Sequence, residues 1–229
     1  MTDLHDIVLQ FDLKGQIESI RPLGNGLIND TYKVNTLDGP SYVLQRINHN
    51  IFRDVELLQN NIVSVTGHIR RKLEAEGVAD IDRKVLTFIP LKNSQVTWYF
   101  DGSSYWRVSL FIENAFTYET VNPEYSYYAG RSFGNFEAML ADIPDTLGET
   151  IPDFHNMELR ARQLEEAVAS DAVGRMAEDE VREILKEILV HREEMCKAER
   201  MYREGTLPKR ICHCDTKVNN MMFDASGDV

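Results

Sequence analysis

Asp215 and Asn220 are the residues of this sequence best suited to chemistry. They lie in the run His213-Cys214-Asp215-Thr216-Lys217-Val218-Asn219-Asn220, which the apolar Met221-Met222-Phe223 follows. A carboxylate can orient an attacking hydroxyl and accept its proton. An amide oxygen a short step along the same loop can hold a divalent cation against phosphate oxygens. The pair therefore fits phosphoryl transfer, with Asp215 as the base and substrate contact and Asn220 as the metal ligand. Lys217, inside the loop, either touches the transferring phosphate or faces solvent. His213 fits a bracing role behind the aspartate better than proton transfer. Without this chemistry the run reads as a turn rich in Asx residues between two strands.

A second candidate lies near the start of the chain, in Gly24-Asn25-Gly26-Leu27-Ile28-Asn29-Asp30-Thr31-Tyr32. Glycines in a hairpin let backbone N–H groups approach phosphate oxygens closely, and Asn29 or Thr31 can add side-chain donors. Gly24, Gly26, Asn29 and Thr31 are thus candidates for nucleotide binding, although a glycine hairpin with no ligand has the same appearance. A phosphate site of this kind also needs a cation on the next strand, paired with a helix glutamate. That strand reads Tyr42-Val43-Leu44-Gln45-Arg46-Ile47 and has no lysine. Arg46 is the available cation and Glu56 the acid to pair with it. Adjacent Gln45 points to the opposite face, so which of the two faces the phosphates stays open.

The elements that must position these residues can be read from periodicity. Short alternating segments at 17–23, 31–35 and 42–47 predict an antiparallel meander. Val55, Leu58, Ile62, Val65, Ile69 and Leu73 recur at steps of three and four, which predicts an amphipathic helix over 54–76 with Gly77 as its stop. Strand patterns return at 84–90, 97–100 and 106–112, with Asp101-Gly102 as a turn. The order is then β-β-β-α-β-β-β up to residue 112. Helical patterns follow near 123–141, at 157–170 and over 177–204. The fold class is α+β, a sheet-rich part followed by a mainly helical one.

With these pieces in order, the sequence resembles the phosphotransferase enzyme family that includes aminoglycoside phosphotransferases, choline kinases and homoserine kinases. The likeness rests on the glycine segment, on Val43-Leu44-Gln45-Arg46-Ile47-Asn48, on Trp106-Arg107-Val108 through Phe111-Ile112-Glu113, and on the H-x-D-x-x-x-x-N run at 213–220. It implies a protein-kinase-like two-lobe fold: an N-lobe over 1–112, a hinge at 113–116 and a partial helical C-lobe over 117–229. It implies ATP and Mg²⁺ as cofactors and transfer of the γ-phosphate to a hydroxyl of a small acceptor such as a sugar or amino sugar. Aminoglycosides, choline and homoserine are the alternative acceptors. Backbone groups of Glu113 and Ala115 would bind adenine at the hinge, and His155, in Ile151-Pro152-Asp153-Phe154-His155, would contact an acceptor hydroxyl. A second metal-binding acid would follow Asp224-Ala225-Ser226-Gly227-Asp228-Val229, so a truncated, inactive polypeptide is expected. Two rival readings are a kinase-like protein that binds nucleotide without catalysis and a plain α+β domain whose motifs match by accident.

Composition narrows the partners. With 37 acidic and 25 basic residues the formal charge is −12, which repels a phosphate backbone and argues against nucleic acid. No segment approaches the roughly 18 apolar residues of a membrane span, and the start lacks a basic leader with an apolar run, so a cytoplasmic protein with no membrane partner is expected. Cys196, Cys212 and Cys214 are too few for a disulfide framework, which fits a reducing compartment. A metal site at Cys212-His213-Cys214 is disfavoured for want of a second Cys/His pair.

Overall fold

The computed structural model describes residues 3–24, 28–120 and 122–225. They divide into two compact units: one carries the sheet and runs to Ile151, rejoined by the chain from Asp215, and the other is Pro152–Cys214.

The first unit is built on a five-stranded sheet of β1 (Ile17–Pro22), β2 (Asp30–Thr36), β3 (Tyr42–Ile47), β4 (Trp98–Phe100) and β5 (Tyr105–Leu110). Their order is β1-β2-β3-β5-β4, and every neighbouring pair is antiparallel. Alternation gives each strand two faces. One face carries Val34, Tyr42, Leu44, Trp106 and Val108, all buried in a single core with Ile7, Val8 and Phe11. The last three come from a short helix, α1 (Leu4–Val8), and the residues just after it. Asp3 caps α1, its carboxylate accepting from the His5 N–H at 3.1 Å. Tyr42 ties the segment after α1 to β3: its hydroxyl accepts from the Lys14 N–H at 2.8 Å and donates to the Lys14 carbonyl at 3.2 Å. Sequence periodicity predicts nothing before residue 17, because five residues are too few to display a helical stripe.

The β4–β5 turn is organised by Asp101. Its carboxylate accepts from the backbone N–H groups of Ser103 and Ser104, both at 2.8 Å, and from the Trp106 indole N–H at 2.9 Å. Burial works to raise the Asp101 pKa, but the Trp106 and Ser103/Ser104 donors outweigh it and hold the group at about 2, below its ordinary 3.8. The folded value is the depressed one, so the stabilisation is complete above pH 3.8 and is lost as pH falls through about 2. Asp101→Ala is expected to lower stability by about 1.5–3 kcal/mol at pH 7. Urea denaturation checks this, and the gap between variant and wild type should narrow as pH falls below about 4.

The strand expected over 84–90 is not formed. Asp80, in the left-handed region at φ 53°, opens instead a one-turn helix α3 (Ile81–Lys84). Only a short extended contact follows, with Phe88 opposite Ser109. The reason is room: β4 already pairs with residues 105–107 of β5, so this segment finds only the end of the same edge. Pro90 then ends the pairing, since it has no N–H to donate.

Helix α2 (Val55–Ala75) agrees with its stripe. Asp54 caps it by accepting from the Leu57 N–H at 2.8 Å, and Gly77 leaves it at φ 69°. Helix α4 (Pro123–Met139) is capped by Asn122 with proline in its first turn. His68 and Lys72 on α2 both bond the Met139 carbonyl at the end of α4, at 3.1 and 2.9 Å.

The second unit holds α5 (Met157–Ser170), α6 (Asp179–Met195) and α7 (Lys197–Arg203). The single helix expected over 177–204 is thus two. At Cys196 ψ is −2°, which turns the backbone off the helical path, and its side chain is buried. Arg192–Glu165 at 2.6 Å and Arg203–Glu158 tie α6 and α7 to α5. Leu164, Val168, Leu185 and Leu189 line an apolar groove of about 710 Å³ between α5 and α6. Among the described residues no helix is long and apolar enough to cross a membrane.

Candidate active site

Residues 211–217 form neither a strand nor a helix, and Val218–Asn220 is one 3-10 turn. Among the described residues no strand flanks the loop on either side, as an ordinary Asx turn between strands would require. What holds the loop is the pairing of Phe223 with Phe116, whose backbones exchange two hydrogen bonds of 2.8 Å. Phe223 is fully buried against the rings of Tyr118 and Tyr125, with centroids 5.5 and 5.4 Å away. The apolar residue just past the motif is thus an anchor.

Within the loop, the Asn220 side-chain N–H donates to the Asp215 backbone carbonyl at 2.9 Å. This contact closes the five-residue step between them and leaves the amide oxygen Oδ1 for a cation. Lys217 Nζ lies 3.2 Å from Asp215 Oδ2. All three side chains are exposed. A hard-oxygen donor such as Asn220 suits Mg²⁺, which takes few protein ligands and completes its shell with phosphate and water. The fit is that of a partial site, since among the described residues no group of three or more His, Cys, Asp or Glu could hold a metal ion.

Around the glycine turn, Gly24 adopts φ 66° with no atom within 4 Å of the position a Cβ would take. Gly26 lies outside the described residues. Asn29 Oδ1 accepts from the Asn48 N–H at 2.9 Å, which fastens the end of the turn to the end of β3.

The register settles how Gln45 and Arg46 face. Asp30, Arg46 and Trp106 lie opposite one another across β2, β3 and β5, and so do Thr31, Gln45 and Arg107. Arg46 is therefore on the same face as the core under α1, and its Nε donates to Asp30 at 2.6 Å. The Arg46–Glu56 pair suggested by sequence is not present: Arg46 is held by Asp30, and Glu56 is exposed in the first turn of α2. A cross-strand neighbour in register needs less side-chain ordering than a helix residue farther away.

Glu113 is ion-paired with Lys33 at 3.3 Å, and Lys33 lies 3.7 Å over the Phe111 ring. The Glu113 carbonyl accepts from Arg83. Ala115 lines a small cleft with Arg83, Lys84, Ile112, Met222 and Phe223. His155, in the second unit, has its Nε2 2.7 Å from the Cys214 carbonyl.

Three residues of the first unit that sequence reasoning passed over stand out. Lys33 spans β3 to reach the segment after β5. Gln59 is buried on α2 with no hydrogen-bond partner for either amide atom. Arg107 donates through Nε to Gln45 Oε1 at 3.0 Å. A lone cation in the otherwise apolar or neutral strand Tyr105-Trp106-Arg107-Val108-Ser109-Leu110 was the available signal.

Residues 19–229 match the model of the phosphotransferase enzyme family. The chain belongs to that family. The chain is also similar in structure to an aminoglycoside phosphotransferase from Alicyclobacillus acidocaldarius subsp. acidocaldarius DSM 446, with a TM-score of 0.62 at 13% sequence identity. The alignment covers 100% of the chain and 64% of that protein. At this identity the likeness is one of fold, and it agrees with the five-stranded antiparallel sheet and helices described above.

Proposed function

We propose that the protein is an ATP- and Mg²⁺-dependent kinase that transfers the γ-phosphate to a hydroxyl of a sugar or amino sugar. The observation that carries this reading is the hydrogen bond from the Asn220 amide to the Asp215 backbone carbonyl, which closes one loop around the carboxylate-bearing and amide-bearing residues. Asp215 orients the acceptor hydroxyl and takes its proton, Lys217 steadies negative charge beside it, and Asn220 would hold Mg²⁺. When bound, that ion would supply charge neutralisation for the phosphoryl oxygens. Gly24, Gly26, Asn29 and Thr31 cover the nucleotide, backbone groups of Glu113 and Ala115 meet adenine at a hinge over 113–116, and His155 meets the acceptor. The N-lobe would then be 1–112 and the C-lobe 117–229.

The choice of an amino sugar rests on the likeness of Gly24 to Tyr32, Val43 to Asn48, Trp106 to Glu113 and the 213–220 run to N-acetylhexosamine 1-kinase, whose acceptor is a hexosamine. Phosphorylation assays against amino sugars, aminoglycosides, choline and homoserine test it. Transfer to an amino sugar in preference to the other three is expected, and preferential transfer to any of those replaces the acceptor assignment. The setting proposed is the cytoplasm, with no nucleic-acid or membrane partner.

A second reading has one observation in its favour: β3 has no lysine, and its arginine is occupied by Asp30. A protein that binds nucleotide without transfer could dispense with that cation. Titration with ATP, with and without Mg²⁺, separates the two, because only the catalytic reading calls for metal-dependent binding.

A further inference from the structure

Three side chains form one hydrogen-bonded row across the middle of the sheet. Arg107 on β5 donates to Gln45 on β3 at 3.0 Å, and Gln45 donates to the Thr31 hydroxyl on β2 at 3.1 Å. Thr31 is the second residue of the strand that leaves the glycine turn. The row therefore joins that turn to a cation two strands away, on the face opposite the α1 core.

We propose that Arg107, aimed by Gln45, is the cation that contacts the nucleotide's phosphates, in the role that the sequence alone suggests for Arg46. The inference rests on the kinase reading above and names the residue that reading lacks. Its basis is an imbalance of charge. The Arg107 side chain is partly buried on the sheet, and that burial lowers its pKa to about 10, so it is still a cation at neutral pH. Yet among the described residues no carboxylate pairs with it; its contacts are Gln45 and the Phe88 ring, 5.5 Å away. A partly desolvated charge without a counter-ion is unfavourable, and proteins keep one where a ligand supplies the opposite charge.

The other cations of this face do not share that condition. Lys33 has Glu113, and Arg21 lies on the outermost strand exposed to water. Because Gln45 engages Nε, both terminal nitrogens of Arg107 keep their hydrogens for an anion, the fork that meets two phosphate oxygens at once. Gln45 also explains why β3 has no lysine: at that position it serves as the orienting group for a cation on the next strand.

The test is calorimetric titration of the full chain with ATP and, separately, with adenosine, which shares the base and ribose but carries no phosphate. Arg107→Met is expected to weaken ATP by about 10- to 100-fold and to leave adenosine within about twofold. Arg46→Met should leave ATP within about threefold. The ligand-free Arg107→Met chain should melt no lower than wild type, because it loses an uncompensated charge. Should it fail to fold, Arg107→Lys serves: charge without the fork predicts ATP binding weakened about 3- to 10-fold with adenosine unchanged. ATP affinity unaltered by the Arg107 change, or lost instead in Arg46→Met, overturns the assignment and leaves the kinase reading standing. Wild-type chain that binds neither ATP nor adenosine overturns both.

Discussion

Where the wild-type chain transfers phosphate, Asp215→Asn is expected to cut that transfer by about 10²- to 10⁴-fold, the usual worth of a positioned general base. The substitution is nearly isosteric and removes only the charge and the proton-accepting oxygen. It loses the exposed Lys217 pair but should keep the loop's closure, because Asn220 bonds the backbone carbonyl of residue 215 and not its carboxylate, while Phe223 anchors the loop from behind. ATP affinity should stay within about threefold, since the acceptor and not the nucleotide meets this group. Initial rates with a saturating amino sugar, beside an ATP titration, provide the measurement. A variant that keeps more than about a tenth of the wild-type rate would remove Asp215 from the chemistry.

Phe11→Ala should cost about 3–5 kcal/mol of unfolding free energy. Phe11 is 1% exposed and packs with Ile7 and Val8 against Tyr42, Leu44 and Val108. Its backbone is fixed on both sides, by the Phe11 N–H to Val8 carbonyl bond and by the Asp12 N–H to Pro90 carbonyl bond of 2.9 Å. The site cannot close easily over the lost ring, so the full cavity cost applies. Urea denaturation measures it; a loss under about 1 kcal/mol would show that α1 is not a working part of the sheet's core.

Both residues illustrate what could be read from the sequence. The 213–220 run announces itself because its residues are local: Asp215, Lys217 and Asn220 lie within one loop, although the pairing of Lys217 with Asp215 and the bond from Asn220 to the Asp215 backbone are not legible in the spacing. Strand β3 is likewise legible to the residue, since Tyr42 and Leu44 alternate with the less buried Val43 and Gln45 and Asp38-Gly39-Pro40 marks its start. Phe11 is different. Its importance comes from contacts with strands 30 and more residues away, and a five-residue helix leaves no periodic trace. The strand misread over 84–90 has the same origin, for the apolar pattern is real but the edge it would need is already occupied by β4.

The Arg46–Glu56 expectation failed for a further reason. A strand's alternation tells that Gln45 and Arg46 point apart, but not which face is covered; that depends on α1, an element the pattern did not show. Once the register is known, the geometry transfers the question from β3 to β5, where Arg107 had been only part of a family likeness.

The loop also carries its own chemical handle. Cys214, at φ 65° and directly before Asp215, is exposed, as is Cys212, whereas Cys196 is buried. A thiol-selective reagent applied to the native chain therefore marks the loop and spares the helices. A small fluorophore attached there would sit one residue from Asp215 and register the arrival of nucleotide or acceptor as a change in emission. The same exposure means that oxidant reaches the loop's thiols before it reaches Cys196, so the protein should be handled under reducing conditions from the first step of purification.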